Sequence, residues 1–211
     1  MKRELDYFYI GESFGGNQAW CRDPMMHLGG CAALTACDIC IYLARKKGLT
    51  HLYPFDAYQI TKKDYLRFSK GMKPYLRPRS HGVNRTDLYT DGFRHYLTDI
   101  GDTQIILDEF DGTVNVLDAW ETIKSHIDDE LPVAYLMLKH QDKSLADFVW
   151  HWFLLVGYKE IGEDNLCSKE QNVPKRMVKT ATYGEGLWLD FDNLWKTGFD
   201  EKGGMVLVEI R

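Results

Sequence analysis

Apolar residues recur at three-and-four spacing through the first half of the chain, and after Gly101 they fall at spacings that suit strands. The clearest helical pattern covers 31–45, where Ala33, Ala36, Cys37, Cys40, Ile41 and Ala44 share one face. Leu34, Ile39 and Leu43 make much of the other side apolar too. Such a helix is expected at the centre of a core, with Gly48 as its stop. Two more helices are predicted over 55–70 and 84–98, separated by a loop around Pro74 and Pro78.

Beyond Gly101 a strand is predicted at 103–110, followed by an amphipathic helix marked by Val116, Leu117, Trp120, Ile123 and Ile127. Pro132 opens a strand at 133–139, and the apolar run 148–158, rich in Val, Trp, Phe and Leu, reads as buried sheet. A polar insertion at 162–174 precedes strands at 176–183 and 187–190, a short helix near Asp192 and a last strand at 205–210. Helices first and antiparallel strands afterwards predict an α+β architecture. No repeat or linker divides the chain, so 1–211 is expected to be a single domain, with 1–100 mainly a helical lobe and 101–211 mainly an antiparallel sheet lobe.

Composition narrows the partners. At 211 residues the chain can bury roughly 70% of its unfolded surface without staples. The formal net charge is −5 and the basic residues are spread out, which disfavours nucleic acid. Lys and Arg gather at 70–85, but interleaved prolines and glycines suit a solvated loop. No stretch of about 18 apolar residues suggests a membrane span, and the charged start runs into no apolar leader, so a cytoplasmic protein is expected. Five cysteines, an odd number, are expected to be free thiols in a reducing compartment.

The candidate chemistry starts at Gly29-Gly30-Cys31, where two glycines deliver a thiol to the first turn of the central helix. Uncovered N–H groups and the positive end of the macrodipole favour a thiolate there. A nucleophilic thiol also needs a base, and His151 lies in the apolar run Val149-Trp150-His151-Trp152-Phe153, where an imidazole calls for a partner.

Gln18 upstream of this Gly-Cys helix start, Leu131-Pro132-Val133 before a strand, His151 opening a strand that ends in Gly157-Tyr158, and the pair Tyr183-Gly184 on the next strand come in a telling order. Together they resemble the papain-like cysteine peptidase superfamily, especially its compact bacterial branch related to bacteriocin-processing (C39-like) peptidases. The resemblance implies a papain-like fold, with Cys31 as nucleophile, His151 as base and Gln18 as a side-chain donor to the oxyanion hole beside the Cys31 N–H. Loss of Gln18 would then cost about 10²- to 10³-fold in turnover.

The chain departs from the family in two places. Residues 20–26 lengthen the spacing from Gln18 to Cys31, leaving Asn17 as another oxyanion donor, and Ala181 stands where papain has the asparagine that orients the imidazole. Thr182, Thr180 and Asp190 are the replacements on offer for that third role, although Asp190 and Asp192 equally suit capping of the short helix that holds Leu194 and Trp195. Trp20 and Trp152 flank the proposed reactants and could wall an interlobe cleft for substrate.

The expected activity is hydrolysis of a peptide or related amide through an acyl-enzyme on Cys31, without a cofactor. Alternatives are acyl transfer from the same thioester, or a catalytically inactive papain-like protein that binds peptide. Cys37 and Cys40 read as small core residues, while Cys21 and Cys167 read as loop thiols. Asp23, His27 and Cys31 recur every four residues, but Pro24 and the two glycines argue against a helix joining them, and no metal site is expected. The residues carry no signature of oligomeric state.

Overall fold

A computed structural model describes residues 1–79, 82–162 and 174–211. Cys167 and most of the predicted insertion 162–174 lie outside the described residues, as do residues 80 and 81 of the loop 70–85. The chain begins with β1 (Lys2–Glu4) and a hairpin of β2 (Tyr9–Ile10) and β3 (Ser13–Phe14), then makes a 3-10 turn over Gln18–Trp20. A short helix, α1 (Pro24–Gly29), follows. The Asp23 carboxylate caps it by accepting from the N–H groups of Met25 and Met26, and Pro24 takes the first helical position, where a missing N–H costs nothing. Pro24 thus starts a short helix that ends before Cys31, so no single helix joins Asp23, His27 and Cys31.

Gly30 alone separates α1 from α2 (Cys31–Lys46). A Cβ at Gly30 would stand 2.4 Å from the Met26 carbonyl oxygen, so only glycine lets the last turn of α1 close against the start of α2. Every residue of α2 from Cys31 to Ala44 is buried, as its two apolar faces predict. It packs against α3 (Lys62–Met72) and lies near α4 (Thr86–Asp99), whose Tyr89 hydroxyl meets Thr35. The helix predicted from 55 begins later because the Asp56 carboxylate accepts from the N–H groups of Tyr58 and Gln59, turning the backbone locally. Thr61 then caps α3 through the Asp64 N–H.

The second half supplies β4 (Ile105–Asp111), α5 (Val116–Asp128), β5 (Val133–Met137), β6 (His151–Ile161), β7 (Lys175–Thr182), β8 (Glu185–Asp190), α6 (Phe191–Trp195) and β9 (Gly204–Ile210). Their order in the sheet is β4-β9-β5-β6-β7-β8, and each of these pairings is antiparallel. β1 joins the same sheet. It pairs with β6 just beyond β5, Glu4 opposite Gly157 where Val133 is opposite Leu155, so the N-terminal residues contribute to the sheet as well. The architecture is α+β, with α2 packed on β6 at its centre. Among the described residues no helix is long and apolar enough to cross a membrane.

The strand predicted at 148–158 starts at His151 instead. Residues Lys143–Phe148 form 3-10 turns, and Trp150 adopts a left-handed φ of 56° while its N–H donates to the Leu138 carbonyl. That conformation is uncommon for a bulky side chain, and here it turns the chain immediately before the histidine.

Candidate active site

Packing of α2 on β6 brings Cys31 and His151, far apart in the chain, to one small cavity that Gln18, Asp38, Thr182 and Tyr183 also line. About 20 Å³ is open to the centre of a water molecule, room for roughly one.

Cys31 is the first residue of α2, and Gly30 before it supplies no side-chain cap, so the first N–H groups of the helix are left uncovered. Burial pushes the Cys31 thiol up, and the N–H groups of Trp152, Ala32 and Cys31 itself, turned toward the sulfur, only partly oppose it. The helix start acts in the direction expected from sequence, yet desolvation is larger and the resting thiol keeps its proton. Burial also pushes His151 down to about 4, so the imidazole is neutral. The pair is thiol and neutral imidazole, where the sequence led to the expectation of a thiolate at the helix start.

Nε2 of His151 shares a hydrogen bond of 2.7 Å with Thr182 Oγ1. Thr182 is thus the one of the three proposed orienting residues that meets the imidazole. Thr180 donates instead to the Leu187 carbonyl. Asp190 caps α6 through the Asn193 N–H and faces Lys175 at 3.5 Å. It lies opposite Met177, while Thr182 lies opposite Glu185, five positions away on each strand, which separates Asp190 from Thr182 by roughly 16 Å. Asp192 is held by Arg176, whose Nε donates over 2.8 Å.

Tyr183 and Gly184 form the turn between β7 and β8 and do not continue a strand. Their φ angles of 51° and 80° are those of the primed two-residue turns that match strand twist. A Cβ at Gly184 would come within 2.4 Å of Ser13 Oγ. The turn lays the Tyr183 ring flat on His151, with centroids 4.5 Å apart and planes 4° from parallel. Asn17 holds the turn through Nδ2 to the Tyr183 carbonyl at 2.7 Å and accepts from the Ala19 N–H, and it lies outside the lining of the Cys31 cavity, which Gln18 joins.

Gln18 is buried against the cavity. Its Nε2 donates to the His27 carbonyl over 2.8 Å, which fixes the side chain and leaves the second Nε2 hydrogen uncommitted, while Oε1 is buried with no partner among the described residues. His27 serves through its backbone. Among the described residues no three His, Cys, Asp or Glu side chains converge on one point.

Asp38 is the site residue that the sequence analysis missed. Two turns beyond Cys31 on α2, its carboxylate accepts from the Gly16 N–H at 3.1 Å, Tyr7 OH at 2.8 Å and Tyr65 OH at 2.7 Å. It thereby ties the loop that carries Gln18 to the helix that carries Cys31. A lone aspartate inside the apolar run 31–44 was the available signal. Gly16 is needed for the close approach, since a Cβ there would overlap Tyr65 OH.

Despite three donors, burial raises the Asp38 carboxyl to about 6. An unfolded aspartate titrates near 3.9, so between about pH 4 and 6 the native state holds more protons than the unfolded state, and the Asp38 contribution to stability falls as pH rises through that window. The difference in unfolding free energy between wild type and Asp38→Asn is expected to change by about 3 kcal/mol across it and to level off above. Urea titrations of both proteins from pH 4 to 7 measure this, and parallel curves would contradict it.

Trp152 lines the cavity of Cys31 and His151, but from within the closed core, whereas Trp20 lies outside that lining. Trp152 is 1% exposed, stacks on Tyr89 at 4.3 Å and donates its indole N–H to the Val83 carbonyl. Trp20 sits edge-on to Tyr65 and lines a different pocket. Cys37 and Cys40, spaced as a Cys-x-x-Cys pair, are both fully buried free thiols inside α2.

No protein-family model matches the chain, and no curated protein matches its sequence.

Proposed function

We propose that the protein is a papain-like, cysteine-dependent amide hydrolase that acts on a peptide or related amide through an acyl-enzyme on Cys31. The observation that carries this is the shared cavity of Cys31, at the uncapped start of α2, and His151, at the start of β6, with Thr182 on Nε2 of the imidazole. If Nε2–H donates to Thr182, the imidazole lone pair is on Nδ1, where the Tyr183 hydroxyl stands at 3.4 Å and has to turn away before that nitrogen takes the thiol proton.

Because burial keeps both groups neutral, proton transfer accompanies attack and does not precede it. Sγ bonds to the carbonyl carbon as Nδ1 takes the proton, and the carbonyl electron pair moves onto oxygen. The Cys31 N–H and the second Nε2 hydrogen of Gln18 receive that oxygen. Collapse expels the amine with the proton from Nδ1, and water, deprotonated by the same nitrogen, hydrolyses the thioester. An amine in place of that water gives acyl transfer.

A second reading, peptide binding without turnover, is favoured by one observation: the cavity has room for only about one water, with Tyr183 lying over His151. A fluorogenic peptide-amide library separates the two. Turnover that iodoacetamide removes, with the label mapped to Cys31 by mass spectrometry, supports hydrolysis. Turnover that survives complete labelling of Cys31, or no turnover of any library member, overturns it.

Thr182→Val is expected to lower kcat several-fold with little change in KM, because the imidazole loses its partner on Nε2. Asp190→Ala is expected to leave kcat alone and to cost about 1 kcal/mol of stability through the lost helix cap. The reverse pattern, read from steady-state rates and urea melts, would return the third role to Asp190.

A further inference from the structure

Trp20 and Cys21, which follow Gln18 in the chain, line a second pocket of about 340 Å³, within the size range of small-ligand sites. One wall is a single face of α3 and its cap, where Leu66, Ser69, Lys70 and Lys73 follow at helical spacing. The facing wall is the segment 20–26 that lengthens the chain between Gln18 and Cys31, and it contributes Trp20, Arg22 and Met26.

The pocket's charge is opposite to that of the whole chain, which carries −5. Three cations, Arg22, Lys70 and Lys73, meet one carboxylate, Asp23. Lys73 pairs with Asp23 and holds its carboxyl below the usual range. Among the described residues Arg22 and Lys70 enter no ion pair. Two cations are therefore left beside an apolar surface of Trp20, Met26 and Leu66.

We propose that this pocket binds a carboxylate on an apolar stem, the stem against Trp20, Met26 and Leu66 and the carboxylate between Arg22 and Lys70. The ionised Asp23 on the same rim repels a doubly charged phosphate more than a singly charged carboxylate, which selects between the two anions. The same chemistry is offered by a small organic acid and by an acidic residue in a peptide. The inference goes beyond the hydrolase reading and holds whether or not Cys31 is reactive.

The test is calorimetric titration of the intact protein with 3-phenylpropionate against 3-phenylpropionamide, and with N-acetyl-Phe-Glu-amide against N-acetyl-Phe-Gln-amide. At least one acid is expected to bind tenfold or more tightly than its neutral match, and the Arg22→Ala/Lys70→Ala double variant to lose that preference. Both side chains are exposed, and a thermal melt of the variant checks that the fold is kept. Preference confined to the glutamate peptide identifies a peptide ligand, and preference confined to the free acid a small one. Equal binding of acids and amides, no binding of any probe at millimolar concentration, or a preference that persists in a folded double variant overturns the proposal.

Discussion

Replacing Cys31 by alanine is expected to abolish amide hydrolysis, and replacing His151 by alanine to lower kcat/KM by about 10²- to 10⁴-fold, the usual contribution of a positioned general base. The loss at His151 should be steeper than in an enzyme with a preformed thiolate, because burial leaves the Cys31 thiol protonated and the Asp38 carboxylate, which also lines the cavity, is engaged by three donors. Two measurements check this. One is the library turnover of each variant; the other is the rate of Cys31 alkylation by iodoacetamide in wild type and in His151→Ala. If removing the imidazole leaves the alkylation rate unchanged, His151 is not the base for Cys31.

Replacing Trp152 by alanine is expected to cost about 3 to 5 kcal/mol of stability, the range for a large aromatic removed from a closed core. The ring is buried against Tyr89, its N–H is satisfied by the Val83 carbonyl, and its neighbours on β6 are themselves buried. Against a total of roughly 5 to 15 kcal/mol for an ordinary domain, this loss is a large fraction of what keeps the chain folded. Urea unfolding at 25 °C reads it directly. A folded variant with a loss below about 1 kcal/mol and a raised KM would instead make Trp152 part of a substrate wall.

Both expectations fall on β6, and the reason is geometric. Its first residue presents the imidazole, its second turns an N–H toward the thiol and buries an indole, and the remainder forms the middle of the sheet. The left-handed residue Trp150 just before it is held by its N–H bond to the Leu138 carbonyl, and the left-handed Tyr183 by the Asn17 amide and by stacking on His151.

Long periodic elements were legible from the amino acids alone. The central helix, predicted over 31–45, is observed as Cys31–Lys46, because sixteen residues without Gly or Pro carry a strong period between two glycine boundaries. Short elements were not. The strands Lys2–Glu4, Tyr9–Ile10 and Ser13–Phe14 are too brief to show an alternation, and α1 was hidden by a proline whose place at a helix start depends on the Asp23 cap. In the site, Cys31 and His151 were nominated by a helix start and by an imidazole in an apolar run. Thr182 was one of three candidates until strand register put it on Nε2, and Asp38 passed unnoticed because its partners, Gly16, Tyr7 and Tyr65, come from two distant segments.

Local pattern thus determined where the main helices and strands run, which thiol opens the central helix and which histidine has an apolar setting, since each depends only on neighbours within a few residues. Tertiary structure decided what those groups are: which hydroxyl holds the imidazole, that Asp190 serves a helix cap, and that thiol and imidazole both rest uncharged. Protonation follows from how much water and how many dipoles surround an atom, and that environment is assembled from segments that meet only when the chain has folded.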